Sequence, residues 1–365
     1  MASNVAPIER LQEQPIAVDP AKIERAFTEL WQETSAAGAD ESTIRLRVVN
    51  LVAIARDDSA TDRFESLMQV LPESHPCRGI LTVASPARTT LDASISAHCR
   101  RLAGNRRHVC SEEVLLYGGN AQGVELASSV LALLVPELPV VVWFIDAVQI
   151  DDYLARDVLQ AADRAFFDSA LAADPAQAYR DALAMKETYD IEVIDLAWLR
   201  TETWRTLTAQ CFDGGDGPRE LSRIREIEVI GAGGASGTMP LLIVAWLASR
   251  MGLSLADASQ SDASLSATMY AGSRAVQLRV LPASDGDSEI QGLTITTDDA
   301  EFSLECHSES GHIHVRENWD GGSSRRTVEL PRDETTSLLA ATLDGAPGAL
   351  VFDETLHMAL QLLRV

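Results

Sequence analysis

The stretch Ile44-Arg-Leu-Arg-Val-Val-Asn-Leu-Val-Ala-Ile-Ala55 decides the fold class. It alternates at first and then becomes continuously apolar, the pattern of a strand buried on both faces of a sheet. On its amino-terminal side, Ile23, Phe27, Leu30 and Trp31 recur at helical spacing within Pro20–Ala37. On its carboxyl side, Phe64, Leu67, Met68 and Leu71 mark a helix over 61–71 that Pro72 stops, and Gly79–Ala84 reads as a second strand. The alternation continues outward, with strands expected at 108–117, 139–145, 164–168 and 224–230. Helices are expected at 122–134, 151–161, 175–188, 196–212 and 239–251. Asp174 before Pro175 is a helix start, and Gly252 a helix end.

Strand and helix by turns predict an α/β fold, a mostly parallel sheet with helices on both faces. We expect it over residues 41–255, after an N-terminal helical segment at 1–40. Past Gly252 the texture changes. Residues 253–269, rich in Ser, Ala and Asp, read as a boundary or loose connection. Short alternating segments then follow at 275–281, 290–297, 301–307, 312–317 and 325–330, separated by turn residues that suit hairpins. Helices over 334–343 and 353–363 close the chain. Residues 256–365 are therefore expected to form a smaller antiparallel β-meander with terminal helices (α+β).

Composition bounds the partners. The 365 residues carry 30 Lys+Arg against 54 Asp+Glu, a formal charge of −24. Such a surface repels phosphate backbones, so nucleic acid is not an expected partner. No basic-then-apolar leader opens the chain, and the apolar run at 135–145 is broken by Pro136, Glu137 and Pro139. Neither a signal peptide nor a membrane span is expected, which predicts a cytoplasmic protein. The five cysteines are odd in number and no two are spaced C-x-x-C, so buried free thiols are the expectation.

Three constellations could carry chemistry. Ile230-Gly-Ala-Gly-Gly-Ala-Ser-Gly237 lies between a strand and a helix, where a phosphate loop belongs. Gly231, Gly233, Gly234, Ser236 and Gly237 are its candidate residues; the alternative is a flexible connection, since the third required glycine is Ser236 and no Lys follows. Arg100, Arg101, Arg106 and Arg107 fall within eight residues, flanked by His98 and His108. On so acidic a chain this cluster is where an anion or acidic partner surface would be attracted, unless it is a solvated loop. His307, His312 and His314 sit near Cys306, but without a third well-spaced ligand they read as a solvated sheet face, and no metal site is assigned. No nucleophile motif appears, and no catalytic residue is assigned.

Several segments taken in order resemble one family, the OpcA proteins, described as glucose-6-phosphate dehydrogenase assembly proteins or allosteric effectors. They are Arg47-Val-Val-Asn-Leu-Val52, His75-Pro-Cys-Arg78, Ser96-Ala-His-Cys99, Val109-Cys-Ser-Glu-Glu113 and Leu133 through Trp143. Asp163 through Ser169, Trp198 with Trp204-Arg205, Gln210-Cys-Phe-Asp213 and Ala245-Trp-Leu-Ala-Ser249 complete the set. Cys77 and Trp143-Phe144 depart from the family's commoner residues. The resemblance implies a non-catalytic protein without cofactor that binds glucose-6-phosphate dehydrogenase and favours its active oligomer, in the oxidative pentose phosphate pathway. Trp143, at the carboxyl end of a buried strand, is a candidate partner contact or a core residue. A sugar-phosphate- or nucleotide-binding α/β domain or enzyme is the alternative, resting on the glycine loop and the arginine cluster.

Overall fold

The computed structural model describes residues 10–12, 15–37, 42–71, 74–101, 107–148, 150–214, 217–234, 237–261, 263–283, 289–307, 311–331, 335–343 and 349–363. They form two compact units interleaved along the chain. The first comprises Met1–Asp168, Ala184–Ile194 and Thr335–Ala346; the second comprises Ser169–Leu183, Asp195–Glu334 and Pro347–Val365. The fold is α/β, with one sheet to each unit. No described helix is long and apolar enough to cross a membrane.

In chain order, the elements up to the last helix before the first sheet's final strand are β1 (Arg10–Gln12), β2 (Ile16–Val18), α1 (Ile23–Ala37), β3 (Ser42–Arg45), β4 (Val49–Ala55), α2 (Ala60–Val70), β5 (Cys77–Ala84), β6 (Asp92–Arg101), β7 (Arg107–Gly118), α3 (Gly123–Leu133), β8 (Val140–Phe144), α4 (Tyr153–Leu159), β9 (Arg164–Phe167) and α5 (Pro175–Tyr189). With β10 (Glu192–Asp195) they give a ten-stranded sheet whose main order is β1-β6-β7-β5-β4-β8-β9-β10. β4 pairs parallel to both β5 and β8, β5 parallel to β7, and β8 parallel to β9. Every residue of β4, β5 and β8 is buried, which is why they read as near-continuous apolar runs. Gly79 interrupts β5 because a Cβ there would lie 2.5 Å from Met68 Sδ of α2. Asn50 interrupts β4 because its side-chain amide accepts from Val135 N–H (2.8 Å) and donates to Val135 and Leu138 carbonyls, pinning the turn after α3.

No strand is expected between residues 84 and 108, yet residues 92–101 form β6 and pair antiparallel with β7. That register sets Cys99 opposite Cys110, and the two form a disulfide. The expectation of buried free thiols holds for Cys77 and Cys211; Cys306 is outside any disulfide but only half-buried, and the expectation fails for the bridged pair.

The second unit carries α6 (Leu196–Arg200), α7 (Glu202–Gln210), α8 (Gly217–Leu221), β11 (Glu226–Gly231), α9 (Thr238–Arg250), β12 (Ser254–Ser261), β13 (Ser264–Ala271), β14 (Arg274–Pro282), β15 (Ile290–Thr296), β16 (Ala300–His307), β17 (His312–Trp319) and β18 (Gly322–Glu329). Its eight-stranded sheet runs β12-β13-β14-β11-β15-β16-β17-β18. The remaining helices are α10 (Thr335–Leu343), in the first unit, and α11 (Ala349–Leu362), in the second.

Three expectations change here. β11 is not the last strand of the parallel sheet; it pairs parallel with β14 and antiparallel with β15. Its alternating Glu-Ile-Glu-Val-Ile-Gly buries one face only, unlike a strand covered on both sides. Residues 253–269 are not a loose connection but contain β12 and β13, whose inward positions include the small buried residues Ala258 and Ala267. The helix expected over 196–212 is broken at Thr201, whose hydroxyl donates to the Trp198 carbonyl at 2.6 Å. α9, buried almost all round, packs on β11 and β14, and α11 packs on α9.

Candidate functional site

In the first sheet the chain runs from β4 outward through β5 to β7, then returns to the other side of β4 with β8 and continues to β9 and β10. The order reverses between β4 and β8, and in open α/β sheets ligands bind beyond the carboxyl ends of the strands at such a point. The turn that leaves β4 there is Arg56-Asp57-Asp58-Ser59, without a glycine. Asp146, just beyond β8, accepts the Arg56 N–H at 3.0 Å and pairs with Arg63. The Arg56 guanidinium pairs with Asp152 at 2.6 Å and donates to Asn120 Oδ1 at 3.3 Å. The Asp57 carboxylate accepts the Ser59 N–H at 2.8 Å, a bond that holds its pKa below the usual range. The α2 end that would face an incoming phosphate thus carries the chain's own carboxylate. Arg88 pairs with Asp58 at 2.7 Å and lies 4.4 Å over the Tyr117 ring. This rim is closed by internal ion pairs, and a pyrophosphate there would meet Asp57, Asp58, Asp146 and Asp152.

The arginine cluster straddles the β6–β7 connection. Arg100 and Arg101 lie on β6 and Arg107 on β7, while Arg106 and the side chains of the other three fall outside the described residues. His98 is buried, with Nε2 3.0 Å from Glu113 Oε2. Trp143 is also buried, only 3% exposed on central strand β8.

The glycine loop follows β11 in the second unit. A Cβ on Gly231 would lie 2.3 Å from the Glu289 carbonyl oxygen, and one on Gly237 2.1 Å from that of Ala232. Gly234, at φ +53°, would place its Cβ 1.9 Å from the Ala263 carbonyl oxygen. Close packing against neighbouring backbone accounts for these glycines. Gly233 is exposed with φ +71°, and Ser236 lies outside the described residues. Thr238, the first residue of α9, donates to the Ser169 carbonyl at 3.0 Å. Among the described residues no cluster of three or more His, Cys, Asp or Glu could hold a metal ion.

Two arrangements carry no sequence motif. Arg78, 2% exposed, pairs with fully buried Glu112 at 2.6 Å, with Glu24 of α1, and with the Leu133 carbonyl at the end of α3. Arg47 and Trp31 Nε1 also donate to Glu112, each at 3.0 Å. In the second unit, Arg205 of α7 lies over Trp198 of α6, with Cζ 3.6 Å from the ring centroid and Nε donating to Thr201 Oγ1 at 3.0 Å. Burial brings its pKa down to about 10.

The family profile described as the glucose-6-phosphate dehydrogenase subunit N-terminal domain matches residues 69–184, and the profile of its C-terminal domain matches 191–357. The chain belongs to the OpcA family.

A relative named OxPP cycle protein OpcA, from Synechococcus elongatus, is 28% identical over 190 residues, covering 51% of this chain and 42% of its own. Its namesake from Nostoc punctiforme is 26% identical over 183 residues, covering 48% and 38%. The chain thus matches less than half the length of these OpcA relatives. Among solved structures, an oxidoreductase from Bacillus cereus aligns with TM-score 0.49 at 10% identity, covering 87% of this chain and 96% of that one. An aldose-aldose oxidoreductase from Caulobacter crescentus aligns at 0.48 and 8%, covering 87% and 97%. The residues that carried the OpcA resemblance do recognisable structural work in the chain. Arg47, Arg78 and Glu112 form one network, Ser96, His98 and Glu113 a second, and half-buried Arg205 packs on buried Trp198.

Proposed function

We propose that this chain is a non-catalytic partner of glucose-6-phosphate dehydrogenase, favouring the enzyme's active oligomer within the oxidative pentose phosphate cycle of the cytoplasm. Family membership and the names of its relatives support the pathway and the partner. One observation carries the non-catalytic part. The switch point between β4 and β8, where an α/β sheet would take a dinucleotide, is filled by Arg56, Arg63, Asp146 and Asp152 paired with one another. The mechanism is linkage: a protein that binds the active oligomer more tightly shifts its population by that difference, about 1.4 kcal/mol for each tenfold preference.

The test mixes the chain with the dehydrogenase of the same organism. Co-elution at micromolar concentration and a raised kcat or lowered KM for NADPH formation are expected. Separate elution with unchanged kinetics overturns the reading. Turnover of glucose 6-phosphate by the chain alone overturns its non-catalytic part. NADP+ and glucose 6-phosphate should leave the melting temperature of the chain unchanged, whereas a ligand at a hundred times its Kd adds about 2.7 kcal/mol.

A further inference from the structure

Arg205 is half-buried, and among the described residues no carboxylate lies within the 4 Å of an ion pair. Elsewhere in this acidic chain half-buried arginines find one, Arg47 at Glu112, Arg56 at Asp152, Arg164 at Glu192 and Arg274 at Asp298, as does fully buried Arg78 at Glu112. The Arg205 guanidinium is nevertheless held in place on two sides. It sits over the Trp198 ring, which also packs against Phe352 with ring centroids 5.7 Å apart. Its Nε is tied to Thr201 Oγ1, and that hydroxyl is anchored in turn on the Trp198 carbonyl. The Nη1–Nη2 edge makes no hydrogen bond with any described residue, and that edge matches the two oxygens of a carboxylate. Glu202, three residues earlier on α7, draws the pKa up from beyond ion-pair distance, but burial outweighs it, so the guanidinium is a partly desolvated cation without a hydrogen-bonded carboxylate.

We propose that Arg205, stacked on Trp198, is the docking point for a carboxylate side chain of the partner protein, an assignment that rests on the partner-binding reading above. One guanidinium matches one monovalent carboxylate, whereas phosphate sites gather several donors. A single such pair binds a free carboxylate only weakly, so the group is delivered on a larger surface whose other contacts add affinity. Arginine and tryptophan at a well-packed spot are the residue types that dominate interface energetics.

The experiment compares the full chain with Arg205→Met and Arg205→Lys, both confirmed folded by circular dichroism and melting. Titrated against the dehydrogenase of the same organism, both variants should bind at least tenfold more weakly, since an ammonium supplies neither the stack nor the paired donors. Binding within twofold of the wild type by the folded variants overturns the proposal. A second arm follows tryptophan fluorescence of the chain alone with acetate or inorganic phosphate. An acetate response present in the wild type and lost in Arg205→Met supports the site even where the dehydrogenase fails to bind, in which case only the choice of partner falls. Phosphate acting at lower concentration than acetate overturns the carboxylate assignment. No response to either, with no dehydrogenase binding, overturns the site.

Discussion

Glu112 and Glu113, neighbours on β7, bury their carboxylates on opposite faces of the same sheet. Glu112 faces the side of α1 and α3, where Arg78, Arg47 and Trp31 meet it. Glu113 faces the side of α2, where Ser96 Oγ donates to it at 2.7 Å and His98 Nε2 stands 3.0 Å away. A strand's alternation makes this unavoidable, and each face must satisfy its own charge.

Arg78 joins β5 to α1, to the end of α3 and to β7 at once. Arg78→Met should cost about 3–5 kcal/mol, because Glu112 keeps its burial and loses its closest cation. Glu112→Leu should cost a similar amount. The double variant should fall short of the summed losses by about 1–3 kcal/mol, read from denaturation midpoints, because the two side chains share one interaction. Strict additivity would contradict the network.

Glu65 on α2 is pushed above its ordinary value of 4.5 by burial first, then by Glu113 and Asp62. The folded chain therefore holds this proton where the unfolded chain has released it, and stability falls as pH rises from 4.5 through the higher folded value. Glu65→Gln should melt higher than the wild type at pH 7 and alike at pH 4. An equal difference at both pH values would sink this account.

Thiol titration in denaturant should find three reactive cysteines before reduction and five after it, given one Cys99–Cys110 bridge. In the folded chain Cys306 should react first, since burial pushes the thiols of Cys77 and Cys211 up to about 12 and about 11. Reducing a bridge across so short a loop should lower stability by at most about 3 kcal/mol. Five reactive thiols without reductant would rule the bridge out.

Gly234 and Gly252 both have positive φ, +53° and +63°, but only Gly234 would drive a Cβ into backbone. Gly252→Ala should cost about 1–2 kcal/mol for the left-handed conformation alone. Gly234→Ala should cost clearly more, seen in melting temperature. Equal losses would mean that the loop after β11 is open enough to accept a ligand.

The strands of the α/β core were legible because burial on both faces demands continuous apolar residues, and β4, β5 and β8 supply them. β6 was missed although Ala93, Ile95, Ala97 and Cys99 alternate with polar residues, because small side chains give a weak signal. Edge strand β12 was missed for the same reason, with Ala258 its one buried position. The arginine cluster and the glycine loop stood out by composition. The paired rim at the end of β4 and the Arg205–Trp198 stack did not, since neither is a motif.

By itself the amino-acid order determined the class of the fold, the helix ends at Asp174 and Gly252 and the ordered segments of the OpcA family, because local periodicity and capping act over a few residues. Only the tertiary structure decided which sheet β11 joins, that Cys99 meets Cys110, that Arg78 has three partners and that, among the described residues, no carboxylate lies within ion-pair distance of Arg205. Those outcomes depend on strand register and on residues brought together from distant parts of the chain, and nothing in local spacing encodes them.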